Sequence, residues 1–580
     1  MSATAYRDTA HTNNYELTSG AGYVLPEYAF VPPPELQGGD GLVRHPIVIV
    51  GGGITGLTLA CSLARLGVRA VLLDEDNTVG VKGASSRGIC YTQKSLEIFQ
   101  RLGIFERIAA KGTQWSVGRT FAGDDEVYNF DLRQQNSFHL SSQPPFINIQ
   151  QFYIEAFLVD RIQQLGHVEL RWQNRLTAFG QTADVATLTV ETPAGSYRIE
   201  ADHVIDATGS NSPLRKWLKV PFDSRRGDDR WCIADVRFTT RPPAERHTWI
   251  EAPFNDNRAV WQHLMADDVW RIDYQMAPNA DPEYVSREDV VRERLARQFG
   301  PDVGVDIVWV GPYAYRSECV HAMRHGRVFL MGDSAKVVSP FGARGGNTGV
   351  ADADNLAWKL AAVIRGQAPA ALLQSYQDER LEAAQQNVCV TNRTARFLRP
   401  ADGSERLFRQ ATIGLAKQYP FARSLINTGR MAVANPYNRS TACSYRAGSA
   451  AGQSVQNVPF AWADGSKGVV NELLNWAEGQ LLLLLFGELS PAELQRLRRL
   501  GQHAPLRLVQ VLPAGRTPAQ ALEHVRDPLD QLRKACQLQE GRAWALLRPD
   551  AYLAASGDRL NGSLVAAIET ALGLHGETTP

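Results

Sequence analysis

The sequence predicts an α/β protein with a doubly wound parallel sheet, an antiparallel sheet and a further α/β unit at the C-terminus. Three observations support this fold class. A strand, a glycine-rich turn, a helix and a second strand follow one another in residues 46–74, apolar and polar residues alternate in 231–276, and another β/α rhythm runs from residue 459. Parallel strands need helical crossovers, whereas alternation with period two is typical of an antiparallel sheet.

The composition is that of an ordinary globular protein. Of 580 residues, 44% are hydrophobic and 21% charged, and 61 basic residues balance 61 acidic ones. Zero net charge argues against nucleic acid or an anionic membrane and favours a small-molecule partner. The seven cysteines form no C-x-x-C pair, and the N-terminus lacks a signal-peptide pattern. We therefore expect a cytoplasmic protein with reduced thiols, no metal site and no membrane segment.

The first strand–turn–helix unit carries a dinucleotide fingerprint. Gly51, Gly53 and Gly56 form G-x-G-x-x-G between the strand "IVIV" and the helix "LTLACSLARLG". The first glycine permits the tight turn, the second lets backbone approach a pyrophosphate, and the third allows close helix–strand packing. Asp74 ends the next strand, where an acid can accept a ribose hydroxyl.

A second signal lies far downstream. The apolar run "RVFLM" ends in Gly332 and Asp333, and a glycine-rich loop leads to a helix predicted from about Asn347. One fingerprint for the ADP half and a distant acid for the ribityl half indicate FAD rather than a nicotinamide dinucleotide as the resident cofactor.

Together these motifs resemble the class A flavoprotein monooxygenases, the family of p-hydroxybenzoate hydroxylase and 3-(3-hydroxyphenyl)propionate hydroxylase. "SSRGICYTQKSLEIFQRLG" puts Arg87 in the family's arginine position, and "INIQQFYIEAFL" puts Gln151 and Glu155 at its Q-x-x-x-E spacing. "GRVFLMGDSAKVVSPFGARGGNTG" is similar to the second flavin motif. The resemblance covers residues 46–395.

The resemblance implies a Rossmann-type FAD-binding domain, an inserted antiparallel-sheet substrate domain and a C-terminal thioredoxin-like domain. The redox C-x-x-C of that last domain is replaced by "GELSPAEL", so packing or oligomerisation remains as its role. The expected segments are an arm (1–45), the FAD domain (46–225 and 319–398, with a substrate-domain segment near 115–148), the substrate sheet (226–318), a helical segment and linker (399–458) and the thioredoxin-like domain (459–580).

The resemblance also implies roles for single residues. Arg87 and Gln151 would bind FAD, Asp333 its ribityl chain, and Pro340 would face the substrate. The backbone of the stretch Gly345, Gly346 and Asn347 would approach the isoalloxazine, with the helix N-terminus near the ring's pyrimidine side, where negative charge collects on reduction.

The implied reaction is hydroxylation of a phenolic or related aromatic substrate. NADPH or NADH would reduce FAD, oxygen would add at flavin carbon 4a, and the hydroperoxide would transfer its terminal oxygen to the ring. A flavin oxidase or dehydrogenase, a Baeyer–Villiger oxygenase and a non-catalytic flavin-binding protein remain alternatives, because a fold does not determine its chemistry. A homodimer also stays open.

Two positions depart from the family pattern. Thr208 in "ATGSNSPLR" stands where the D-G-x-x-S-x-x-R motif has aspartate, and Lys336 replaces the usual histidine. The first change concerns the handling of NAD(P)H, and the second adds a positive charge near the cofactor. Neutral drift and a functional change both explain them.

Candidate catalytic residues come from the antiparallel sheet. Pairing 259–265 with 269–276 places His263 opposite Arg271, with Asp273 nearby. The imidazole could accept a phenolic proton and the guanidinium could pair with a carboxylate. The alternative is a solvated sheet face with a surface Arg–Asp pair. Tyr274 belongs to the apolar set and is expected in the core.

Overall fold

The computed structural model describes residues 23, 25–37, 42–80, 88–134, 140–426, 431–445, 449–513, 516, 518, 522–538 and 543–574, with backbone only at 226–229. Its helices are α1 Ile54–Arg65, α2 Gln93–Leu102, α3 Phe105–Lys111, α4 Gln151–Leu165, α5 Pro213–Trp217, α6 Pro282–Val285, α7 Glu288–Phe299, α8 Arg344–Ile364, α9 Gln374–Leu398, α10 Gly403–Gln418, α11 Pro420–Arg423, α12 Val470–Trp476, α13 Pro491–His503, α14 Gln531–Ala535 and α15 Gly562–Ala571.

The strands form three large sheets and one small ribbon. They are β1 Val43–Val50, β2 Ala70–Leu73, β3 Cys90–Thr92, β4 Val117–Ala122, β5 Asp125–Asp131, β6 Phe146–Asn148, β7 Val168–Arg171, β8 Arg175–Gln181, β9 Ala186–Thr192, β10 Gly195–Asp206, β11 Phe222–Phe238, β12 Arg246–Ala252, β13 Arg258–Leu264, β14 Trp270–Gln275, β15 Val305–Val320, β16 Arg324–His325, β17 Val328–Leu330, β18 Lys336–Val337, β19 Pro459–Trp462, β20 Lys467–Val469, β21 Leu481–Phe486, β22 Leu506–Leu512, β23 Glu523–Arg526, β24 Trp544–Leu547 and β25 Leu553–Gly557.

The first sheet is the predicted doubly wound unit. Its order is β16-β17-β10-β1-β2-β7, and β17, β10, β1, β2 and β7 run parallel. Helix α1 crosses from β1 to β2 and packs against α4 and α8. The strands are buried on both faces, as the continuous apolar runs predict. Carboxyl ends of these strands therefore converge on one edge, where such folds bind ligands.

The second sheet holds the predicted substrate face. Its order is β18-β15-β11-β14-β13-β12-β4-β5, antiparallel except for the parallel pair β12–β4. On β14, Trp270, Ile272 and Tyr274 pack against α7, so Tyr274 is core as predicted. The opposite face carries Arg271 and Asp273. The alternative of a solvated polar face is wrong, because Arg271 is only 3% exposed.

The C-terminal sheet has the order β20-β19-β23-β22-β21-β24-β25. Strands β21, β22 and β23 run parallel, whereas β24 and β25 are antiparallel to their neighbours. Ser490 and Glu493 form a capping box at the start of α13. The likeness of this C-terminal domain to thioredoxin stays a prediction.

Several boundaries differ from the expected ones. The first strand begins at Val43 rather than residue 46, and among the described residues of the segment expected at 399–458 the last helix ends at Arg423. Helix α8 begins at Arg344, three residues before the predicted start, so the glycine pair lies in its first turn. The described part of the arm is packed: Tyr28 stacks on Trp172 with ring centroids 4.4 Å apart. No helix in the described residues has the length and apolarity required to span a membrane.

Candidate active site

The fingerprint glycines occupy a turn that admits no side chain. Gly51 has a φ of 111°, and a Cβ there would collide with the backbone of Ala207, at the end of β10. A Cβ on Gly56 would collide with the carbonyl oxygen of Gly51. Gly53 is the N-cap of α1, whose first N–H groups face away from the helix. These contacts explain the fingerprint spacing and leave a helix N-terminus suited to phosphate.

Asp74 lies beside this turn. Its carboxylate accepts hydrogen bonds from the backbone N–H groups of Gly52 and Asp76, the latter at 2.8 Å. Burial raises the pKa of Asp74 to about 7. The predicted role as acceptor for a ribose hydroxyl stays a prediction, and the position at the end of β2 suits it.

The second flavin motif meets the first, although many residues separate them. A Cβ on Gly332 or on Gly349 would lie against Oγ1 of Thr55, in the first turn of α1. The Ser334 hydroxyl donates a 2.6 Å hydrogen bond to the carbonyl of Asp206. The side chain of Asp333 is exposed at this junction. The loop after β17, the end of β10 and the start of α1 therefore converge.

The start of α8 is anchored by the side chain of Asn347. Its amide oxygen accepts the backbone N–H of Thr92 at 2.9 Å, and its amide nitrogen donates to the carbonyl of Cys90 at 2.8 Å. The nearest atom to a Cβ on Gly345 would be 4.0 Å away, and on Gly346 3.8 Å away. The backbone of this turn is therefore open to an approaching group, while Asn347 holds its position.

Gln151 connects two other segments of the predicted flavin site. Its amide oxygen accepts the N–H of Gly88 at 3.1 Å, and its amide nitrogen donates to Glu155 at 2.7 Å. Glu155 in turn accepts the N–H of Gly80 at 2.8 Å. The Q-x-x-x-E spacing thus serves to hold the chain on both sides of Arg87, which itself lies outside the described residues.

Thr208 supports a carboxylate two residues earlier. Its hydroxyl donates to Asp206 at 2.6 Å, and the Ser212 hydroxyl donates to the other oxygen of that carboxylate. Burial raises the pKa of Asp206. The sequence therefore keeps an acid in this turn but places it at 206 instead of 208, which the motif comparison missed.

Lys336 does not add a free positive charge, contrary to the simplest expectation. It is buried and forms an ion pair with Asp352, which also binds Arg380 at 2.6 Å. Asp352 accepts the N–H of Gly332 at 3.0 Å as well. The charge of Lys336 is thus compensated in a network that supports the Gly-Asp motif.

The predicted substrate face has the expected strand register. His263 pairs with Arg271 across β13 and β14. Arg271 is already occupied, because it donates hydrogen bonds of 2.8 and 3.0 Å to Asp235, which also accepts the Tyr23 hydroxyl at 2.9 Å. The sequence analysis missed Asp235, although alternation in "IADVRF" could have placed it on this face. Binding of a substrate carboxylate by Arg271 would require competition with Asp235.

His263 is buried and Asp273 is half-buried on the same face. Burial, with the charges of Arg246 and Arg271, lowers the pKa of His263 well below its usual range, so its imidazole is neutral. Burial raises the pKa of Asp273 to about 7. An imidazole without a proton on one ring nitrogen can accept a proton from a bound hydroxyl.

Aromatic rings connect this polar face to the loop before α8. Trp261, one of the residues of β13 on the same face as His263, lies 5.1 Å from the ring of Phe341. Phe341 also contacts Trp231 and Tyr315 and is buried, whereas the preceding Pro340 is exposed. The face with His263 is therefore joined to the turn predicted to approach the flavin ring.

Replacing Asp273 by asparagine is expected to stabilise the protein in a pH-dependent way. The folded-state pKa near 7 exceeds that of an unfolded aspartate, so the wild type loses stability as pH rises from about 4 to 7. The gain in unfolding free energy for D273N should be about 3 kcal/mol larger at pH 8 than at pH 5. Urea denaturation at both pH values measures it, with D268N at an exposed position as control. Equal gains at both pH values would contradict the prediction.

The geometry fits a flavin dinucleotide. A glycine turn without room for a Cβ opens onto the N-terminus of α1, Asp74 ends the adjacent strand, and the uncrowded first turn of α8 lies beside Pro340. These are the features that a pyrophosphate, a ribose and a flat ring require.

Proteins similar to this chain are also flavin enzymes, in agreement with this geometry. The 3-(3-hydroxy-phenyl)propionate/3-hydroxycinnamic acid hydroxylase of Mycolicibacterium smegmatis is 28% identical over 373 residues, which are 63% of this chain and 64% of the relative. The hydroxylase of that name from Klebsiella pneumoniae is 24% identical over 88% of this chain and 92% of its own. The flavin-dependent monooxygenase PieE, solved with FAD and substrate, has the same fold, with a TM-score of 0.76 and 21% identity over 92% of this chain and 99% of that one.

A family model described as "FAD binding domain" matches residues 44–391, which include both predicted flavin motifs and the second, mostly antiparallel sheet. The match extends over more than half of the chain, and it agrees with the converging glycine turns of the structure. The chain belongs to this FAD-binding domain family.

Proposed function

We propose that the protein is an FAD-dependent monooxygenase that uses NADPH or NADH and molecular oxygen to hydroxylate a phenolic or related aromatic substrate. The observation that carries the proposal is the aromatic sheet face on which the ring of Trp261 contacts both His263 and Phe341, in the loop before the turn predicted to approach the flavin ring. Bound FAD would supply the redox and oxygen-activating chemistry. The relatives named as hydroxylases support this activity.

The chain's own residues would bind and orient the ring and exclude water. Trp261, Trp231 and Phe341 offer flat apolar surfaces for an aromatic substrate. His263 would accept the proton of a ring hydroxyl, which makes the ring more electron-rich. The positive end of α8 would stabilise negative charge on the flavin side of the site. Free cysteines throughout agree with the cytoplasm as the location.

The direct test is flavin reduction without oxygen. The purified FAD-loaded protein is mixed with NADPH or NADH, with and without phenolic acids, and loss of the visible flavin band is followed. We expect reduction by one of the nucleotides, and ¹⁸O from ¹⁸O₂ in the product once oxygen is admitted. A flavin that stays oxidised with both nucleotides would reject the proposal. Reduction by the aromatic compound alone would instead indicate an oxidase or dehydrogenase.

Replacing His263 by asparagine is expected to lower the rate of hydroxylation about 100-fold, because a positioned proton acceptor contributes about that much or more. Flavin reduction by the nucleotide should be unchanged, since this step involves no phenolic proton. Product formation and flavin reduction are measured separately. H247N is the matched control, because His247 lies on the adjacent strand and binds Glu245. Equal product formation by H263N and the wild type would exclude His263 as the base.

A further inference from the structure

Arg246 is a buried cation beside His263 that sequence analysis did not identify. It begins β12, where the register of His247 with Gln262 places it next to His263 on the same sheet face. Its guanidinium carbon lies 5.1 Å from the ring of Trp261 and 5.9 Å from that of Trp115. The residue is only 7% exposed.

No protein anion binds this guanidinium in the part of the chain that the structure describes. Its recorded polar contact there is a 3.6 Å approach of Nη1 to the sulfur of Met431, and Nε has no hydrogen-bond partner. By contrast, two other buried arginines form ion pairs with carboxylates: Arg271 binds Asp235 and Arg380 binds Asp352. Arg246 therefore departs from the rule that buried charges are paired.

Asp273 is a nearby carboxylate of the same face, and it does not neutralise Arg246. No hydrogen bond joins the two among the described residues, and Oδ1 of Asp273 has no partner there. Burial raises the pKa of Asp273 to about 7, so a large share of this carboxyl is protonated at neutral pH. A guanidinium stays ionised in proteins. The guanidinium of Arg246 therefore has no ion-pair partner among the described residues of this face.

The surroundings of Arg246 suit an aromatic ligand. Trp115 lines a cavity of about 530 Å³ together with Phe146 and Leu132. Trp261, which contacts Arg246 from the other side, touches Phe341 in the loop before α8. Arg246 therefore lies between a cavity with both apolar and polar lining, which includes Arg133, and the turn predicted to carry the flavin ring.

We propose that Arg246 binds a carboxylate group of the aromatic substrate. The planar guanidinium can donate two parallel hydrogen bonds to such a group. The rings of Trp115 and Trp261 would keep the guanidinium plane of Arg246 in a fixed orientation. This inference rests on the proposed function. It states that the substrate is negatively charged, and it assigns recognition of that charge to Arg246 instead of Arg271.

The test compares acids with their neutral amides. FAD-loaded wild type, R246M and R119M are titrated with 3-(3-hydroxyphenyl)propionate, 1-hydroxy-2-naphthoate and the two corresponding amides, and the change in flavin absorbance gives each dissociation constant. R246M removes the charge and keeps an apolar side chain of similar length. R119M removes an arginine that is partly exposed and paired with Glu245 on the same sheet.

We expect the wild type and R119M to bind at least one acid ten or more times more tightly than its amide. R246M should lose this preference while its affinity for the amide stays within about threefold, and R246K should retain part of the preference. A wild type that binds neither acid, or binds acid and amide alike, would overturn the inference. An unchanged preference in R246M would also overturn it.

Failure of this inference is distinguishable from failure of the proposed function. NAD(P)H consumption and product formation are measured on the same samples. Hydroxylation of aromatic compounds without a preference for acids would reject only the role of Arg246. A clear acid preference without any NAD(P)H consumption would reject only the monooxygenase. Retained FAD absorbance in R246M shows that the variant folds.

Discussion

A Gly56→Val variant is expected to lose FAD almost completely, with an affinity at least about 100-fold below that of the wild type. A Cβ at this position would collide with the carbonyl oxygen of Gly51, so the turn between β1 and α1 would have to open. Opening would move the first N–H groups of α1 away from the pyrophosphate that they are placed to bind. Bound FAD per protein and a fluorescence titration of the apoprotein measure the loss.

Gly180→Val is the matched control for this experiment. Gly180 lies on β8 of the same sheet, is exposed, and no atom lies within 4 Å of a Cβ added there. A β-branched residue is favourable in a strand, so this variant should keep its FAD and its stability. Full FAD content in G56V would show that the turn between β1 and α1 does not bind the cofactor.

An Arg548→Met variant is expected to lose about 3–5 kcal/mol of unfolding free energy. Arg548 follows β24 and donates hydrogen bonds of 2.6 and 2.8 Å to Glu379 of α9 and of 2.6 and 3.0 Å to Asp550. All three side chains are buried, and Lys359 also binds Glu379 at 2.8 Å. The variant would leave Asp550 without its cation and would weaken the contact between the C-terminal sheet and the FAD-binding family region.

Urea denaturation of the FAD-loaded protein measures this loss, with limited proteolysis to detect release of the C-terminal part. Arg516→Met is the control, because Arg516 is 64% exposed and its pair with Glu488 is a surface ion pair worth at most about 1 kcal/mol. The double variant R548M/D550N should recover part of the stability, since it removes the unpaired acid. Equal stability of R548M and R516M would show that this cluster does not hold the two parts together.

The same cluster makes the unfolding free energy depend on pH, and the sign of this dependence can be stated. The guanidinium of Arg548 and the ammonium of Lys359 hold the pKa of Glu379 below its usual range, although burial opposes them. A depressed folded-state pKa adds stability above the pKa of an unfolded glutamate, and this stability is lost as pH falls below about 4. The stability difference between wild type and E379Q should therefore shrink on acidification.

Local sequence patterns were sufficient to predict much of the fold. The fingerprint at Gly51, Gly53 and Gly56 and the Gly-Asp pair at 332–333 lie where the strand patterns and glycine spacing placed them, and the β/α rhythm expected from residue 459 corresponds to the C-terminal sheet and its helices. These features depend on neighbours within a few residues, such as a short turn or an alternating strand. The register of His263 with Arg271 was predictable too, because a three-residue turn joins their strands.

Pairings between distant segments were decided only by the tertiary structure. Asp235 neutralises Arg271, Asp352 neutralises Lys336, and Arg246 lies on the predicted substrate face, and each lies on a different helix or strand from the group that it affects. A side chain's charge is visible in the sequence, but its partner and its burial depend on which strands and helices become neighbours. By itself the sequence determined the cofactor family and the strand that bears the candidate base. The packing of β11, β12 and α8 decided which of its buried charges have an ion-pair partner and which do not.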